Sequence, residues 1–406
     1  MPRSTAGHPY DGPLRWRLSR RGGFWLVVFL VFTGLLGSYS LTPLYPIYQE
    51  RWHFSDVMLS VAFACYSLGT IVSLLVAGSL SDRIGRRKAF VPALLGVAAS
   101  MLVLAFAVDL PMLLTGRALQ GVFTGIINGT AGAALMDLQP RGDRRVAALA
   151  NSTSIAVGSA FGPLIAGLLV AHAPSPTLTP YLLVLLLLAI GLLGVTVMPE
   201  TVPPEARIAT GRRRLRAPDD RAGFAVACLG ALACNASMSL YAEFGTPLAA
   251  QAHLHGRSMG GLVVFVMFAA IGIVQLLLRR VQPLPALVSG TLVVTLGWAG
   301  ITLALIVHQP ALFLSATVIA GAGAGLALMG GTAAVNHLAA PERRAEAVSF
   351  YLVVMFCALA GPGIGGGALT QAIHLTGAAT VMLVTTAVIA LATFVGARRP
   401  RIAATL

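Results

Sequence analysis

The amino-acid sequence predicts an all-α membrane protein with twelve transmembrane helices, arranged as two pseudo-symmetric six-helix bundles. Three observations predict this architecture: the apolar composition, the number of apolar runs and an internal repeat. Of the 406 residues, 57% are hydrophobic and 10% are charged, and the mean hydropathy is +0.83. A typical soluble domain has about a quarter of its residues charged. A chain of this composition is therefore expected in a lipid bilayer.

Apolar runs bounded by charged residues or proline define the twelve predicted spans. Each run has about 20 residues or more, the length at which a helix crosses the hydrocarbon core of a bilayer. The spans are residues 24–44, 57–77, 89–107, 111–135, 146–171, 179–198, 223–244, 259–278, 285–306, 311–335, 346–369 and 375–397. The corresponding bundles are residues 23–198 and 223–397, with a linker at 199–222 and terminal segments at 1–22 and 398–406.

The second half of the chain repeats the first at an offset of 199 residues. The segments PRGDRR and AFGPLIAG of the first half align with APERR and LAGPGIGG of the second, so that Arg145 aligns with Arg344 and Pro163 with Pro362. A fainter copy aligns RRKAFVPALL with RRVQPLPALV. With six spans per half, both halves start on the same side of the membrane. The repeat therefore predicts parallel bundles related by an axis along the membrane normal.

The basic residues are distributed unequally between the two sides of the membrane. Of the 28 Lys and Arg residues, 25 lie in the termini and loops on one side, which we call the basic face. Arg51 and Arg257 lie on the opposite side, the far face, and Arg117 lies within a span. Basic loops are retained in the cytoplasm, so both termini are predicted to be cytoplasmic, in the plasma (inner) membrane. The net charge of +14 is thus explained by topology, without a nucleic-acid partner.

A charged loop of defined pattern separates the second and third spans. It reads GSLSDRIGRRK at residues 78–88. This pattern resembles the GxLxDRxGRRK signature of the major facilitator superfamily. The resemblance implies a charge network that includes an acidic residue below the fourth span and the eleventh span of the other half, and that holds the basic face shut in the outward-open state. The residues expected in this gating network are Gly78, Asp82, Arg83, Gly85, Arg86, Arg87 and Asp137.

Three further stretches resemble the drug:proton antiporter branch of this superfamily. They are LGSYSLTPLYP at the end of the first span, GSAFGPLIAG in the fifth span and Arg117 with Gln120 and Gly121 in the fourth. Glycine permits close helix packing and proline disrupts a helix, so the fifth span and its repeat predict a hinge against the opposite half. The hinge residues expected are Gly158, Gly162, Pro163, Gly167, Gly361 and Pro362.

Proton coupling requires a carboxyl group inside the membrane that binds and releases a proton. The first span carries an acid in many of these antiporters, but residues 24–48 contain none. Glu243 in the seventh span is the best remaining candidate, because Asp56 and Asp109 lie closer to helix ends, where solvent reaches them. The resemblance assigns Arg117 to coupling as well. The alternative for both Glu243 and Arg117 is a side chain that extends to the far-face interface.

Polar and aromatic residues that interrupt apolar spans are candidates to line a substrate cavity between the halves. Apart from Glu243 and Arg117, this predicted cavity is uncharged. It therefore favours an amphipathic small molecule that is neutral or singly cationic. The substrate-binding candidates are Tyr39, Tyr45, Gln120, Asn128, Asn235, Tyr241 and Gln275.

These observations predict a secondary transporter and not an enzyme. A GxxxxGK[ST] loop for ATP is absent, because the only lysine, Lys88, is followed by Ala89, and no cofactor or metal is expected. The first hypothesis is a monomeric exporter of small organic molecules in exchange for protons. The alternative is an uptake or facilitative carrier for a sugar, amino acid or similar metabolite. The fifth-span signature favours export, whereas the absence of an acid in the first span favours the alternative. The predominance of arginine over lysine is typical of a GC-rich bacterial coding sequence.

Overall fold

The computed structural model describes residues 18–77, 80–202, 220–340 and 343–399, which form helices joined by short loops. The elements are α1 Arg20–Tyr39, a 3-10 helix Thr42–Leu44, α2 Tyr45–Trp52, α3 Asp56–Ala77, α4 Leu80–Ile84, α5 Arg86–Ala105, α6 Leu110–Leu138, α7 Arg144–His172, α8 Thr179–Val197, α9 Arg221–Gln251, α10 Met259–Leu277, α11 Pro283–Val307, α12 Pro310–Leu338 and α13 Arg344–Ala397. The prediction of an all-α membrane protein is confirmed.

The described residues contain eleven helical segments that are long and apolar enough to cross a membrane. The last of them, α13, has 54 residues and includes both the eleventh and the twelfth predicted spans. Its backbone leaves helical geometry at Ile373 (φ −132°, ψ 16°) and His374 (φ 60°, ψ 174°). The break lies between the two predicted spans, so the twelve spans are all accounted for.

The first span is interrupted near the far face, as its prolines predict. Helix α1 ends at Tyr39, a 3-10 turn containing Pro43 follows, and α2 starts one residue before Pro46. Proline has no amide hydrogen and its ring displaces the preceding turn, so a regular α-helix cannot continue through this segment. The carbonyl groups at the end of α1 are consequently available to partners from other helices.

The helices pack in the same pattern in both halves. In the first half, α6 packs against α3 and α5, and α1 packs against α7. In the second half, α12 packs against α10 and α11, and α9 packs against α13. Small residues allow close approach at these contacts, for example where Gly121 of α6 faces the carbonyl oxygen of Tyr66 in α3. Within a membrane, such packing replaces the hydrophobic effect as the main source of helix association.

Two helix pairs form the most extensive contacts between the halves: α3 with α13, and α7 with α10. The internal repeat relates these pairs to each other, because α10 is the copy of α3 and the first part of α13 is the copy of α7. The close contacts of these pairs extend from the far face to just past the middle of the membrane. The described contacts therefore hold the halves together at the far face.

Candidate functional site

The broken end of α1 is held by two side chains of α6. The Nη1 atom of Arg117 donates to the carbonyl oxygen of Ser38 at 3.0 Å, and Nε2 of Gln120 donates to that of Gly37 at 3.1 Å. The last carbonyls of a helix lack partners within it and carry partial negative charge. The guanidinium of Arg117 and the amide of Gln120, one turn apart on α6, supply hydrogen-bond donors to these carbonyl oxygens, and the guanidinium also supplies positive charge.

Arg117 is completely buried, so the alternative of a side chain that extends to the far-face interface is wrong for this residue. Its guanidinium carbon lies 4.6 Å from the ring centre of Tyr66 and 5.6 Å from that of Phe63, both in α3. Nη1 also donates to Oε1 of Gln120, while Nε is buried without a partner. Stacking on aromatic rings and the end of α1 together stabilise this buried cation.

Glu243 lies inside the protein at a break in α9. The helix leaves regular geometry at Phe244 (φ −114°, ψ 15°), because Pro247 cannot donate the hydrogen bond that the carbonyl of Glu243 would otherwise accept. The Glu243 side chain is 2% exposed. Its Oε1 accepts a hydrogen bond from Ser239 at 2.8 Å, and its Oε2 accepts one from Ser60 at 2.7 Å. Since Ser60 belongs to α3, this carboxyl group connects the two halves.

Protonation of Glu243 changes the strength of this connection. A carboxylate accepts hydrogen bonds from hydroxyl groups more strongly than a neutral carboxylic acid does, because the acceptor is charged. An ionised carboxylate that is buried needs such donors, and Ser60 supplies one only while the halves are together at the far face. The arrangement can therefore link the charge of one side chain to the relative position of the two halves.

A second hydrogen bond joins the halves one turn closer to the far face. Oδ2 of Asp56 accepts from Thr370 of α13 at 3.0 Å, and its Oδ1 accepts from Gln49 of α2 at 2.9 Å. Gly367 permits this approach, because a Cβ there would collide with the backbone of Asp56 and lie 2.6 Å from Oγ of Ser60. Asp56 begins a helix as predicted, but the expectation of a merely solvated carboxylate is wrong. The sequence contained no signal for its partner, 314 residues away. We call Asp56, Ser60, Glu243, Gly367 and Thr370 the polar interface.

The other acid at the start of a helix, Asp109, instead caps its own helix, α6, by accepting from the amide of Met112.

The pair α7 and α10 meets through small residues. A Cβ on Gly261 would overlap the carbonyl oxygen of Pro163 and lie 3.1 Å from Cα of Gly167. Further along, a Cβ on Gly272 would lie 2.8 Å from that of Ala156. No side-chain hydrogen bond joins these two helices, both of which the structure describes from end to end. We call Ala156, Pro163, Gly167, Gly261 and Gly272 the glycine interface.

The predicted hinge in α7 faces two different partners. Gly158 and Gly162 lie against the carbonyl oxygens of Phe32 and Leu36 in α1, which belongs to the same half. In the outer part of the motif, Phe161 and the residues from Pro163 onwards reach the opposite half. Because successive glycines four residues apart share one helix face, the first two follow α1 while the later residues face α10. The helix itself is continuous across Pro163.

The second copy of this motif lies in α13. Gly361 is exposed, and so is Gly365, and no atom lies within 4 Å of a Cβ built at either residue. Pro362 lies within the helix. The motif therefore packs tightly in the first half, whereas the two glycines of its second copy face open space.

The predicted substrate residues divide into those at the junction of the halves and those bonded within one half. Tyr39 is at the junction, with its ring edge-on to Phe268 of α10 at 5.0 Å. Tyr241 is bonded to Thr317, and Asn235 to the carbonyl oxygen of Ala231. Of the remaining candidates, Tyr45 and Gln120 are buried, Gln275 is half-buried and Asn128 has a buried Oδ1 without a partner.

Charged residues at the basic face form contacts that correspond to the part of the predicted network within the first half. Nη1 of Arg86 contacts Oδ1 of Asp82, and Nε lies 3.2 Å from Oδ2 of Asp137. Nη1 also donates to Ser81 at 2.7 Å. Asp137 is thus bound as expected from the sequence, whereas Gly78 lies outside the described residues.

Glu200, just after α8, joins this network without having been predicted. Its Oε1 accepts from the backbone amide of Arg86 at 2.8 Å. Gly85 has a φ of +100°, and a Cβ there would overlap the Glu200 carboxylate, so glycine is required for both reasons. The motif glycine is recognisable in the sequence, but its partner is 115 positions away. Of the other predicted members, Arg83 is exposed and Arg87 is half-buried.

Comparison with known proteins identifies relatives that match different parts of the chain. Residues 27–316 match the family model described as Major Facilitator Superfamily. The Staphyloferrin B transporter of Staphylococcus aureus (strain NCTC 8325 / PS 47) is 29% identical over 154 residues, which are 37% of this chain and 36% of that protein. The bacillibactin exporter of Bacillus subtilis (strain 168) is 32% identical over 147 residues, or 33% of this chain and 35% of that protein. Each match thus spans about a third of the relative.

Solved structures share the fold over nearly the whole chain. The crystal structure of the human organic anion transporter MFSD10 (TETRAN) superimposes with a TM-score of 0.70 at 16% sequence identity. The superposition covers 93% of this chain and 100% of that one. At this identity the likeness concerns the fold alone.

Proposed function

Because this chain belongs to the major facilitator superfamily, we propose that it is a secondary transporter that exports small organic molecules by alternating access, in exchange for protons. One observation carries the proposal: Glu243, a buried carboxyl group, accepts a hydrogen bond from Ser60 of the opposite half. Proton exchange needs an acid whose charge affects which side of the protein is open. Its burial and its hydrogen bond across the halves support this role for Glu243.

The transport cycle follows from the hydrogen bonds of this carboxyl group. With the far face closed, Glu243 is bonded to Ser60 and Ser239, and these two hydroxyl donors can stabilise its ionised form. Opening of the far face withdraws Ser60 and admits water, so that the carboxylate can take up a proton from outside. The neutral form tolerates burial without strong donors, and the halves can close again. Release of the proton towards the basic face then requires an opening on that side, through which substrate enters.

Arg117 of α6 supports this cycle through its hydrogen bond to the end of α1. Its Nη1 donates to the carbonyl oxygen of Ser38, the residue before Tyr39, and Tyr39 contacts Phe268 across the halves. A change in the hydrogen bonding of Arg117 would therefore alter the position of Tyr39. We assign Arg117 a positioning role in coupling, and Tyr39 a place next to the substrate.

Two independent observations support the substrate class and the direction of transport. Uncharged candidates at the junction favour a neutral or singly cationic amphipathic molecule, because several buried cations would be needed for a multiply charged anion. The named activity of the Bacillus relative, export, agrees with the proposed direction of transport.

We place the protein in the bacterial plasma membrane with both termini in the cytoplasm. We propose that it works as a monomer, because one chain contains both halves.

The experiment is a proton-release assay in everted membrane vesicles with an acid interior. Candidate compounds are added to the medium, and the pH gradient is followed with a fluorescent dye. A transported compound dissipates the gradient in the wild type and fails to do so with Glu243→Gln. Glu50→Gln is the matched control, since it removes an exposed carboxylate at the end of α2. Asp82→Asn tests the basic-face network in the same assay.

The second candidate function is an uptake or facilitative carrier. The absence of an acid from residues 24–48 favours it, because many antiporters of the family carry one there. In that case labelled substrate equilibrates across the membrane, and neither substrate addition nor Glu243→Gln alters the pH gradient. This outcome would overturn the proton-exchange proposal and leave the transporter assignment intact.

A further inference from the structure

A cavity of about 470 Å³ opens at the basic-face end of α5. Its lining is unusual for this membrane level, because two cations stand beside apolar side chains. The lining residues are Arg87, Lys88, Val91, Pro92 and Glu200. None of them belongs to the interfaces between the halves, so the cavity is separate from the transport site described above.

The carboxylate of Glu200, which lines this cavity, already accepts hydrogen bonds from the protein. Oε1 of Glu200 accepts three backbone hydrogen bonds, from Arg86 at 2.8 Å, Thr201 at 3.0 Å and Val202 at 3.2 Å. A carboxylate with several amide donors is well satisfied. Neither Arg87 nor Lys88 forms an ion pair with any residue that the structure describes. The cavity therefore offers two cations to an anion from outside the protein.

The cavity lies at the end of an apolar face of α5. Exposed residues follow Lys88 along this helix at intervals of three or four positions, which places them on one face. They are Pro92, Leu95, Ala99, Leu102 and Phe106. Helix α8, which packs beside α5, exposes its own large apolar residues, Leu182, Leu186, Ile190 and Leu193. Exposed leucines on transmembrane helices are covered by lipid chains.

We propose that this cavity binds the phosphate headgroup of an anionic phospholipid from the leaflet at the basic face, with an acyl chain along the exposed face of α5. Two features select a lipid over a free phosphate. The cations lie directly at the end of the apolar face, and two of the lining residues, Val91 and Pro92, are apolar. Basic pockets at the cytoplasmic ends of helices are suited to such headgroups.

A bound headgroup would act on the network at the basic face. Glu200 connects the cavity to the first turn of α5 through the amide of Arg86, whose side chain contacts Asp82 and Asp137. An anion bound by Arg87 and Lys88 would also stabilise the first turn of α5. Through this site, the lipid composition of the membrane would therefore affect residues that the sequence motif assigns to gating.

The test measures lipid binding to the purified full-length protein, so it does not depend on the transported substrate. Native mass spectrometry counts bound molecules during titration with phosphatidylglycerol, phosphatidylcholine or glycerol 3-phosphate. The variant is Arg87→Gln with Lys88→Gln. The control is Arg279→Gln with Arg280→Gln, which removes the same charge from the exposed loop before α11, the repeat-related position. Thermal unfolding in lipid-free detergent establishes that both variants are folded.

We expect phosphatidylglycerol to bind more tightly than phosphatidylcholine, and the cavity variant to bind it about 20- to 30-fold more weakly than the control, at about 1 kcal/mol per basic residue. High salt should weaken wild-type binding of phosphatidylglycerol alone. Equal losses in both variants, or equal affinity for the two lipids, would overturn the proposal. If glycerol 3-phosphate binds as tightly as the lipid, the site is one for free phosphates. Should the double variant fail to fold, Lys88→Gln alone, at an exposed side chain, replaces it in the same comparison.

Discussion

The two interfaces between the halves occupy equivalent positions in the repeat, yet their chemistry is different. The polar interface joins α3 to α9 and α13 through Ser60 with Glu243 and through Asp56 with Thr370. The glycine interface joins α7 to α10 through backbone atoms and small side chains, without a side-chain hydrogen bond between these two described helices. Internal symmetry thus preserves the positions of the contacts, whereas the residues that make them have diverged.

Under the proposed function, this difference gives the two interfaces different roles. Backbone packing is insensitive to proton concentration and tolerates small sliding movements, as long as no side chain intervenes. A hydrogen bond to a carboxyl group changes strength when that group takes up a proton. The glycine interface is therefore suited to guide the movement of the halves, and the polar interface to make the movement depend on protonation.

The largest effect is expected from Ser60→Ala. Loss of a hydrogen bond to a charged group costs about 1.5–3 kcal/mol, and here the loss falls only on the arrangement in which the far face is closed. Hydrogen–deuterium exchange at the far-face ends of α3 and α13 should rise. Ser239→Ala is the matched control, because it removes the other hydroxyl from Glu243 within one half. Equal increases in both variants would contradict a special role for the bond between the halves.

Gly261→Ala tests the glycine interface. The added methyl group would overlap the carbonyl oxygen of Pro163, and overpacking of this kind costs about 1–3 kcal/mol. We expect slower transport of an identified substrate and faster deuterium exchange at the far-face ends of α7 and α10. Gly129→Ala in α6 adds the same group where no atom lies within 4 Å, so it should transport normally. A Gly261→Ala variant with wild-type transport would show that close backbone packing is not required.

Thr370→Val should have a smaller effect of about 1 kcal/mol, because Asp56 is partly exposed and the single hydroxyl hydrogen of Thr370 is shared with the carbonyl oxygen of Gly367. The substitution keeps the shape of the side chain and removes the hydroxyl that donates to Asp56, which also retains its bond to Gln49. In the pH gradient assay, the Thr370→Val variant should dissipate the gradient at a moderately changed rate, and this dissipation should still require Glu243. If Thr370→Val uncouples transport from protons as completely as Glu243→Gln, the coupling has been assigned to the wrong carboxyl group.

Phe161→Leu should have the smallest effect. Phe161 of α7 lies edge-on to Phe265 of α10, with ring centres 5.3 Å apart, but it is 39% exposed. Such aromatic pairs contribute about 0.5–1.5 kcal/mol, and the partial exposure places this one at the lower end. Substrate transport and its dependence on the pH gradient should both remain close to wild type. A strong defect would mean that side chains, and not only the backbone, direct movement at this interface.

Several features of the site were predictable because they depend on local sequence. Pro43 and Pro46 prevent a helix from continuing, and α1 does end before them. Arg117 and Gln120 lie one turn apart on a single helix, so they reach the same region of α1. Glu243 was the best acidic candidate in the spans because so few carboxylates occur there, and it is buried.

Other features depended on contacts between distant segments. Asp56 and Asp109 both begin helices and look equivalent in the sequence, but only Asp56 meets a hydroxyl of the other half. Gly158 and Gly167 belong to one motif, yet they pack against different halves, because the helix presents them to different neighbours. Glu200 carried no pattern at all, and its role at Gly85 is seen only when the end of α8 and the start of α5 are brought together.

The sequence by itself determined the number of spans, the repeat, the basic face and the break in the first helix, since each follows from hydropathy, charge or proline within a short segment. Tertiary structure alone decided which carboxyl groups connect the halves and which glycines face which helix. The physical reason is that a membrane-spanning helix is specified mainly by its own apolar length, whereas a hydrogen bond or a close backbone contact requires two surfaces to meet at a particular rotation and depth.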